Sequence, residues 1–238
     1  LGSAEGEFTL DGGVVRPAGI ADATLHNVTV GRGVCIRNIR GHIANYDIAD
    51  GAYIENIDRM VTHPGATFGI GTEVSVLNET GGREVPVYDR LSAQTAYIAA
   101  MYRHLPALTA RISELVRGYA GSVRSDRGRI GVNARVTDCG TLTDMWIGDY
   151  ARVEGAASLA AGWLASSQAD PVKVGRGVMA SEFVMASGSK VSDGVVLRHV
   201  FVGQGSHLSH LFSAHDSLFF ANCACENGEA CAIFAGPY

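Results

Sequence analysis

The sequence predicts a mainly β chain wound through short strands and repeated corners, with one helical insertion, and three observations point there. An aliphatic residue followed by Gly recurs: VGRGV at 30–34 and again at 174–178, IGTEV from 70, IGVNA from 130, IGDYA from 147 and VGQGS from 202. Small or apolar residues return every six positions, at Val30, Ile36, Ile48 and Ile54, then Ile130, Val136 and Leu142, then Ile147, Val153 and Leu159, with His42 where an aliphatic is expected. The segment LSAQTAYIAAMYRHLPALTARISELVRGYA alone changes to helical spacing.

A period of six fits neither a helix nor a simple strand. It fits a short strand, a corner and another strand, with one inward side chain per face and three faces to a coil. Gly after the aliphatic residue suits a corner that needs little bulk or a positive φ. Stacked coils would bury one continuous aliphatic column. The register is imperfect, since Ile130 to Ile147 is 17 residues where about 18 would close a coil.

Interruptions are placed at about 77–120 and about 157–172. In the first, Gly81-Gly82 sets a turn between two short strands. Helices then follow, roughly 92–119, with Tyr97, Met101, Ile112 and Leu115 on a stripe expected to face the coils or a neighbouring subunit. In the second, ASLAAGWLASSQADPVK reads as a loop.

Composition narrows the function. The chain has 238 residues, 47% of them hydrophobic, and a formal charge of -5 from 19 basic and 24 acidic residues with no run of either sign. That predicts a globular protein without a nucleic-acid partner. No apolar run approaches the length of a membrane span, and no export signal opens the chain, so neither membrane nor secretion is expected. Five cysteines, Cys35, Cys139, Cys223, Cys225 and Cys231, make an odd, sparse set and read as reduced core thiols of a cytoplasmic protein. The absent initiator Met and the abrupt end at Ala235-Gly236-Pro237-Tyr238 lead us to expect a longer natural chain.

The six-residue repeat resembles the hexapeptide repeat of the single-stranded left-handed parallel β-helix, the fold of many trimeric acyltransferases that use acyl-coenzyme A or acyl carrier protein. Over nearly the whole length the order of pieces is also similar to an uncharacterised bacterial family of long β-helix proteins, sometimes labelled as relatives of UDP-N-acetylglucosamine pyrophosphorylase. RGHIANYDI, VLNETGGREVPVY, LSAQ and above all AHDSLFFANCACENGEACAIFAGPY carry that likeness. It implies one β-helix domain over 1–238 within a longer natural chain, but no particular reaction; a homotrimer is expected because flat hexapeptide faces expose small and apolar side chains suited to packing about a three-fold axis. The Gly-rich nucleotidyl-transfer domain is missing.

Three histidines, His207, His210 and His215, lie within nine residues. Ala214-His215-Asp216 is similar to the Ala-His-Asp of hexapeptide enzymes that acylate UDP-N-acetylglucosamine. The resemblance implies His215 as general base and Asp216 as its orienter, a pairing suited to deprotonating a sugar hydroxyl as it attacks a thioester. The expected reaction is acyl transfer from a thioester carrier to a sugar or nucleotide sugar, with no tightly bound cofactor or metal. A non-catalytic scaffold is the alternative. A third reading follows from His210 and His215, whose spacing resembles that of two zinc ligands in γ-class carbonic anhydrases, although the third histidine is not evident. Arg176, Lys190 and Arg198 are read as a solvated face that could meet phosphates of a carrier arm.

Overall fold

A computed structural model describes residues 1–238. Strand Thr141–Ile147 pairs in parallel with Ser158–Leu164, which pairs with Met179–Met185, then Val196–Val202, then Ser213–Phe219. Intervening strands such as Arg135–Thr137, Arg152–Glu154 and His207–Ser209 form a second parallel sheet of nine strands. The chain therefore climbs as stacked coils, each contributing to both sheets.

Each coil turns three corners, and each corner is a residue at positive φ. In one coil these are Asp138 (55°), Asp144 (52°) and Tyr150 (59°); in another, Leu211 (61°), Asp216 (49°) and Asn222 (63°). Asn and Asp tolerate this left-handed region better than other side-chain-bearing residues. At two corners they also bridge coils. Asn27 donates to Asn45 at 2.9 Å, while Asn38 donates to Asn56 at 3.2 Å and Asn56 to Asp138 at 2.8 Å. A strand such as Thr141–Ile147 bends at its corner Asp144, so the two sheets supply three faces: the residues before that corner lie on the first, those after it on the second, and the nine-stranded sheet is the third.

All ten aliphatic positions of the six-residue register fall in one buried core. Ile130 pairs directly with Ile147, so 17 residues is the true coil length there. Ile43, fully buried opposite Leu25 and Met60, takes the inward place expected at His42. The Gly of IGVNA and of IGDYA answers to crowding rather than to φ. A Cβ on Gly131 would stand 2.4 Å from Asp149 N, and one on Gly148 2.6 Å from Leu164 O. The two VGRGV copies occupy different faces: Val30 aligns with Ile48, Val174 with Val153 and Val191.

Three expectations are corrected. The first insertion is longer than 77–120: the chain leaves the coils after Arg59–Val61 and re-enters at Gly128–Ile130, which pairs with Ile43–Ile48. IGTEV belongs to it, with Ile70 buried in a second apolar cluster. Secondly, Ser158–Leu164 is a strand in full register, and only 165–172 leave the coil. Gly162 disguised it. A Cβ there would lie 2.3 Å from the Phe183 ring, so close packing of the next coil demands a residue that weakens the strand pattern.

Thirdly, of the two places expected for the helical stripe only the coils are excluded for three of its members: helices α1 (Ala93–Met101) and α2 (Pro106–Val123) leave Tyr97, Met101 and Leu115 49%, 39% and 57% exposed, on the side open to a neighbouring subunit. Ala96, Ala99, Ala100, Val116 and Ala120 are buried instead, and Ile112 packs at the margin. The second face is already filled by Trp163, Val184, Phe201 and Leu218, with Trp146 stacked on Trp163 at 4.6 Å. Small side chains let the insertion settle on that bulky surface. Ser92 caps α1 by accepting from Thr95 N, and Pro106 opens α2.

One further element has no counterpart in the sequence reading. Glu7–Thr9 and Val15–Pro17 form an antiparallel hairpin, and Phe8 meets Tyr53 of the nine-stranded sheet at 5.0 Å between ring centroids.

Candidate active site

In strand Ser213–Phe219, Ala214 points inward, aligned with Leu197 and Ala230, while His215 lies on the outer side between Arg198 and Cys231. Asp216 is the corner residue. Corners stack, so the residues at the same corner one and two coils back are His199 (φ 50°) and Glu182 (φ 52°).

This stacking builds a continuous polar chain. Glu182 meets His199 Nε2, His199 Nδ1 lies 3.1 Å from Asp216 Oδ1, and Asp216 Oδ2 lies 3.4 Å from His215 Nδ1. The same His215 nitrogen is 3.6 Å from Cys231 Sγ. One carboxylate thus serves two imidazoles, and one of those imidazoles is held between two carboxylates. The His199 side chain is 24% exposed and that of His215 is 48% exposed, so the inner ring is fixed and the outer ring meets solvent. With Nδ1 turned to Asp216, His215 Nε2 makes no hydrogen bond within the chain and faces solvent. Cys231 lies at the margin, where desolvation first, then Glu79, Asp216 and Glu229, hold its thiol above its ordinary range.

Glu79 brings the insertion to the site. The backbone N–H of Leu77 donates to Ala232 O at 2.7 Å, fixing the tip of the insertion beside the coil that carries Cys231.

The structure brings His215 and Asp216 together and separates the other two histidines. His207 sits in the nine-stranded sheet beside Lys190, and His210 turns to Ser209 Oγ (2.9 Å) and Glu226 (3.6 Å). No three His, Cys, Asp or Glu side chains converge in a metal-ligating group, so the zinc reading draws no support from geometry. All five cysteines are free; Cys35 and Cys139 are core thiols, whereas Cys223, Cys225 and Cys231 are only half-buried. Arg198 lies on the first face beside His215, while Arg176 and Lys190 face a groove on the third.

Sequence reasoning missed His199 and Glu182. The signal was available: stepping back 17 residues from Asp216 reaches His199, and 17 more reaches Glu182.

These features define a mainly β protein of parallel-stacked coils, with an exposed imidazole–carboxylate relay at one corner and an α/β insertion over one face. No helix is long and apolar enough to cross a membrane. The chain belongs to the family described as a domain of unknown function, DUF4954, whose pattern matches residues 1–238. It is 27% identical over 186 residues to an uncharacterized protein of Treponema pallidum (strain Nichols), covering 74% of this chain and 26% of that protein. The chain therefore spans about a quarter of that relative's length. No solved structure matches it.

Proposed function

We propose that the coils form a left-handed β-helix of the hexapeptide-repeat kind and that the protein is an acyltransferase, moving an acyl group from coenzyme A or acyl carrier protein to a sugar or nucleotide-sugar hydroxyl. The observation that carries this reading is the Asp216 carboxylate held between the rings of His199 and His215. In the reaction His215 Nε2 takes the hydroxyl proton as the oxygen bonds to the thioester carbonyl carbon. Asp216 stabilises the imidazolium, the C–S bond breaks, and the proton returns to the departing thiolate. Three corners per coil support the fold assignment.

The first face, which carries His215, supports assembly as a homotrimer. Its outer row runs Thr141, Ser158, Met179, Val196 and Ser213, small or apolar throughout, with Met179 44% and Val196 40% exposed. A second copy packed there would close the relay away from water.

The test is a panel of acyl thioesters offered with UDP-N-acetylglucosamine and related sugars. His215→Ala should lower transfer about 10²- to 10⁴-fold while leaving the thermal midpoint nearly unchanged. Activity that survives His215→Ala removes the acid–base role. No activity across the panel favours a non-catalytic scaffold, for which the exposed helical side chains Tyr97, Met101, Leu108 and Leu115 offer a contact surface.

A further inference from the structure

The third face carries a row of cations, none of them joined to a carboxylate in an ion pair. In-register pairing sets Arg135 beside Arg152, Arg152 beside Lys173, and Lys173 beside Lys190, between Tyr53 at one end and His207 at the other. Adjacent strands lie about 4.8 Å apart, so four full positive charges line up over roughly 14 Å. Like charges directly opposite each other destabilise a sheet. None of the four has a carboxylate within ion-pair distance. Burial first, and then the Arg135 charge, hold the Arg152 guanidinium below its ordinary value, with Glu154 on the same strand opposing them in part.

The row lies in a groove that is open to solvent along one side. The N-terminal hairpin stands over it, and between the two runs a groove of about 950 Å³ lined by Arg16 and Arg176 as well as the four cations. That volume is at the upper end for a small-molecule site. Arg16 reaches in from the hairpin, 3.9 Å from Glu55, and its buried Nε has no hydrogen-bond partner.

Five carboxylates also line the groove: Asp11, Glu55, Asp138, Glu154 and Asp193. Three are already engaged. Glu55 accepts from the Tyr53 hydroxyl at 2.5 Å, Asp138 from Asn56 at 2.8 Å and Asp193 from Ser192 at 2.8 Å. Asp138 and Asp193 stand at the corner that borders the face, beyond the cation row. Glu55 and Glu154 lie on the face itself, two residues along their strands from the row, so the line of cations runs beside a shorter line of carboxylates.

We propose that this groove binds an elongated small molecule carrying two or more linked phosphate groups, which the row Arg135, Arg152, Lys173 and Lys190 neutralises. Linked phosphates supply several charges along one line, matching the row, and a fork of Arg donors grips each group. A nucleic-acid backbone fits less well, because the hairpin and the marginal carboxylates oppose a chain of phosphates that runs on past the row. This site uses no residue of the His215 relay, so the two readings stand or fall separately.

Calorimetry with orthophosphate, pyrophosphate and tripolyphosphate at fixed ionic strength tests the idea. Affinity should rise in that order, tripolyphosphate binding at least tenfold more tightly than orthophosphate. Lys173→Gln combined with Lys190→Gln should weaken tripolyphosphate at least tenfold, while Arg198→Gln on the first face changes it less than twofold. Without ligand, the double variant should melt no lower than the wild type, since two mutually repelling charges are gone. Equal affinity for the three anions, or a double variant that binds normally, overturns the proposal. So does a double variant that melts several degrees lower, which would make the cations structural, or tighter binding of a single-stranded oligonucleotide than of tripolyphosphate.

Discussion

His199 and Asp216 are 17 residues apart in sequence and one coil apart in space, with His199 Nδ1 3.1 Å from Asp216 Oδ1. Both are corner residues at positive φ, so neither backbone can slide past the other without unmaking a coil corner. The carboxylate is thereby aimed from two sides. Its Oδ1 is committed to His199, and its Oδ2 is presented to His215.

On the proposed acyltransferase reading, Asp216→Asn should harm turnover more than binding. An amide keeps the size of the carboxylate but cannot stabilise an imidazolium, and we expect kcat to fall about ten- to hundredfold with KM within about threefold. His199→Ala acts only through the aim of Asp216 and should give a smaller loss of kcat. Restoring a donor with His199→Gln should recover part of it. Equal losses in kcat and KM for Asp216→Asn would place the carboxylate on the substrate instead.

Arg127 closes the insertion onto the coils. It donates to Asp47 Oδ1 at 2.5 Å, to the Tyr46 carbonyl at 2.8 Å, to Thr29 Oγ1 at 2.8 Å, and to the carbonyl and side chain of Asn27 at 2.9 and 2.6 Å. Replacing Arg127 with Met should cost about 2–3 kcal/mol in urea unfolding, the scale of losing charge-assisted hydrogen bonds in a partly exposed setting.

The same contact sets a pH dependence. Hydrogen bonds from Arg127 hold the Asp47 carboxyl below its ordinary 3.8. A depressed folded pKa means that the contribution is fully present above that ordinary value and is lost as pH falls through the folded one. Chemical unfolding measured from about pH 5 to pH 2 should show stability dropping below about pH 4 in the wild type. Asp47→Asn should be less stable at pH 5 and lose less on acidification. Parallel curves for the two proteins would show that other carboxylates carry the acid response.

Gly128 is the first residue of the re-entering strand, and a Cβ there would stand 2.4 Å from both the Tyr46 ring and Thr62 Oγ1. Both neighbours are fully buried, and burial foremost pushes the Tyr46 hydroxyl up to about 12. Neither side chain has free space to yield into. Gly128→Ala should destabilise by about 1–3 kcal/mol or more, read from the urea midpoint at unchanged slope. A loss under about 0.5 kcal/mol would mean that the ring moves aside at little cost.

How much of this was written in the sequence depends on which neighbours a residue meets. Ile130, Val136 and Leu142 were legible because each faces its own column and repeats at the coil period. Ser158–Leu164 was not, because Gly162 answers to the Phe183 ring 21 residues further on. The helices were legible as helices, yet their buried side was misread, since spacing marks an apolar stripe without saying that the opposing surface already holds Trp163 and Phe201. His215 and Asp216 stood out as adjacent residues. His199 and Glu182 join them only across coils, and so does the cation row Arg135, Arg152, Lys173 and Lys190, whose members are scattered along the chain.

Two exposed apolar surfaces are available to the proposed assembly, and they can be separated. The first face offers Met179 and Val196 beside His215, on a flat sheet whose backbone is already paired; the helices offer Tyr97, Met101 and Leu115 on a curved surface some coils away in sequence. A flat parallel face suits packing about a three-fold axis, and burying it would also shield the relay. If the protein assembles as the proposed homotrimer, Val196→Glu, which places a carboxylate within that row, should convert it to monomers at micromolar concentration in multi-angle light scattering. Leu115→Glu should leave the mass unchanged. Unfolding free energies measured at high dilution should agree within about 0.5 kcal/mol for both variants, as befits surface substitutions. If Leu115→Glu dissociates the assembly and Val196→Glu does not, the helices hold the subunits together and the relay faces open solvent in every copy.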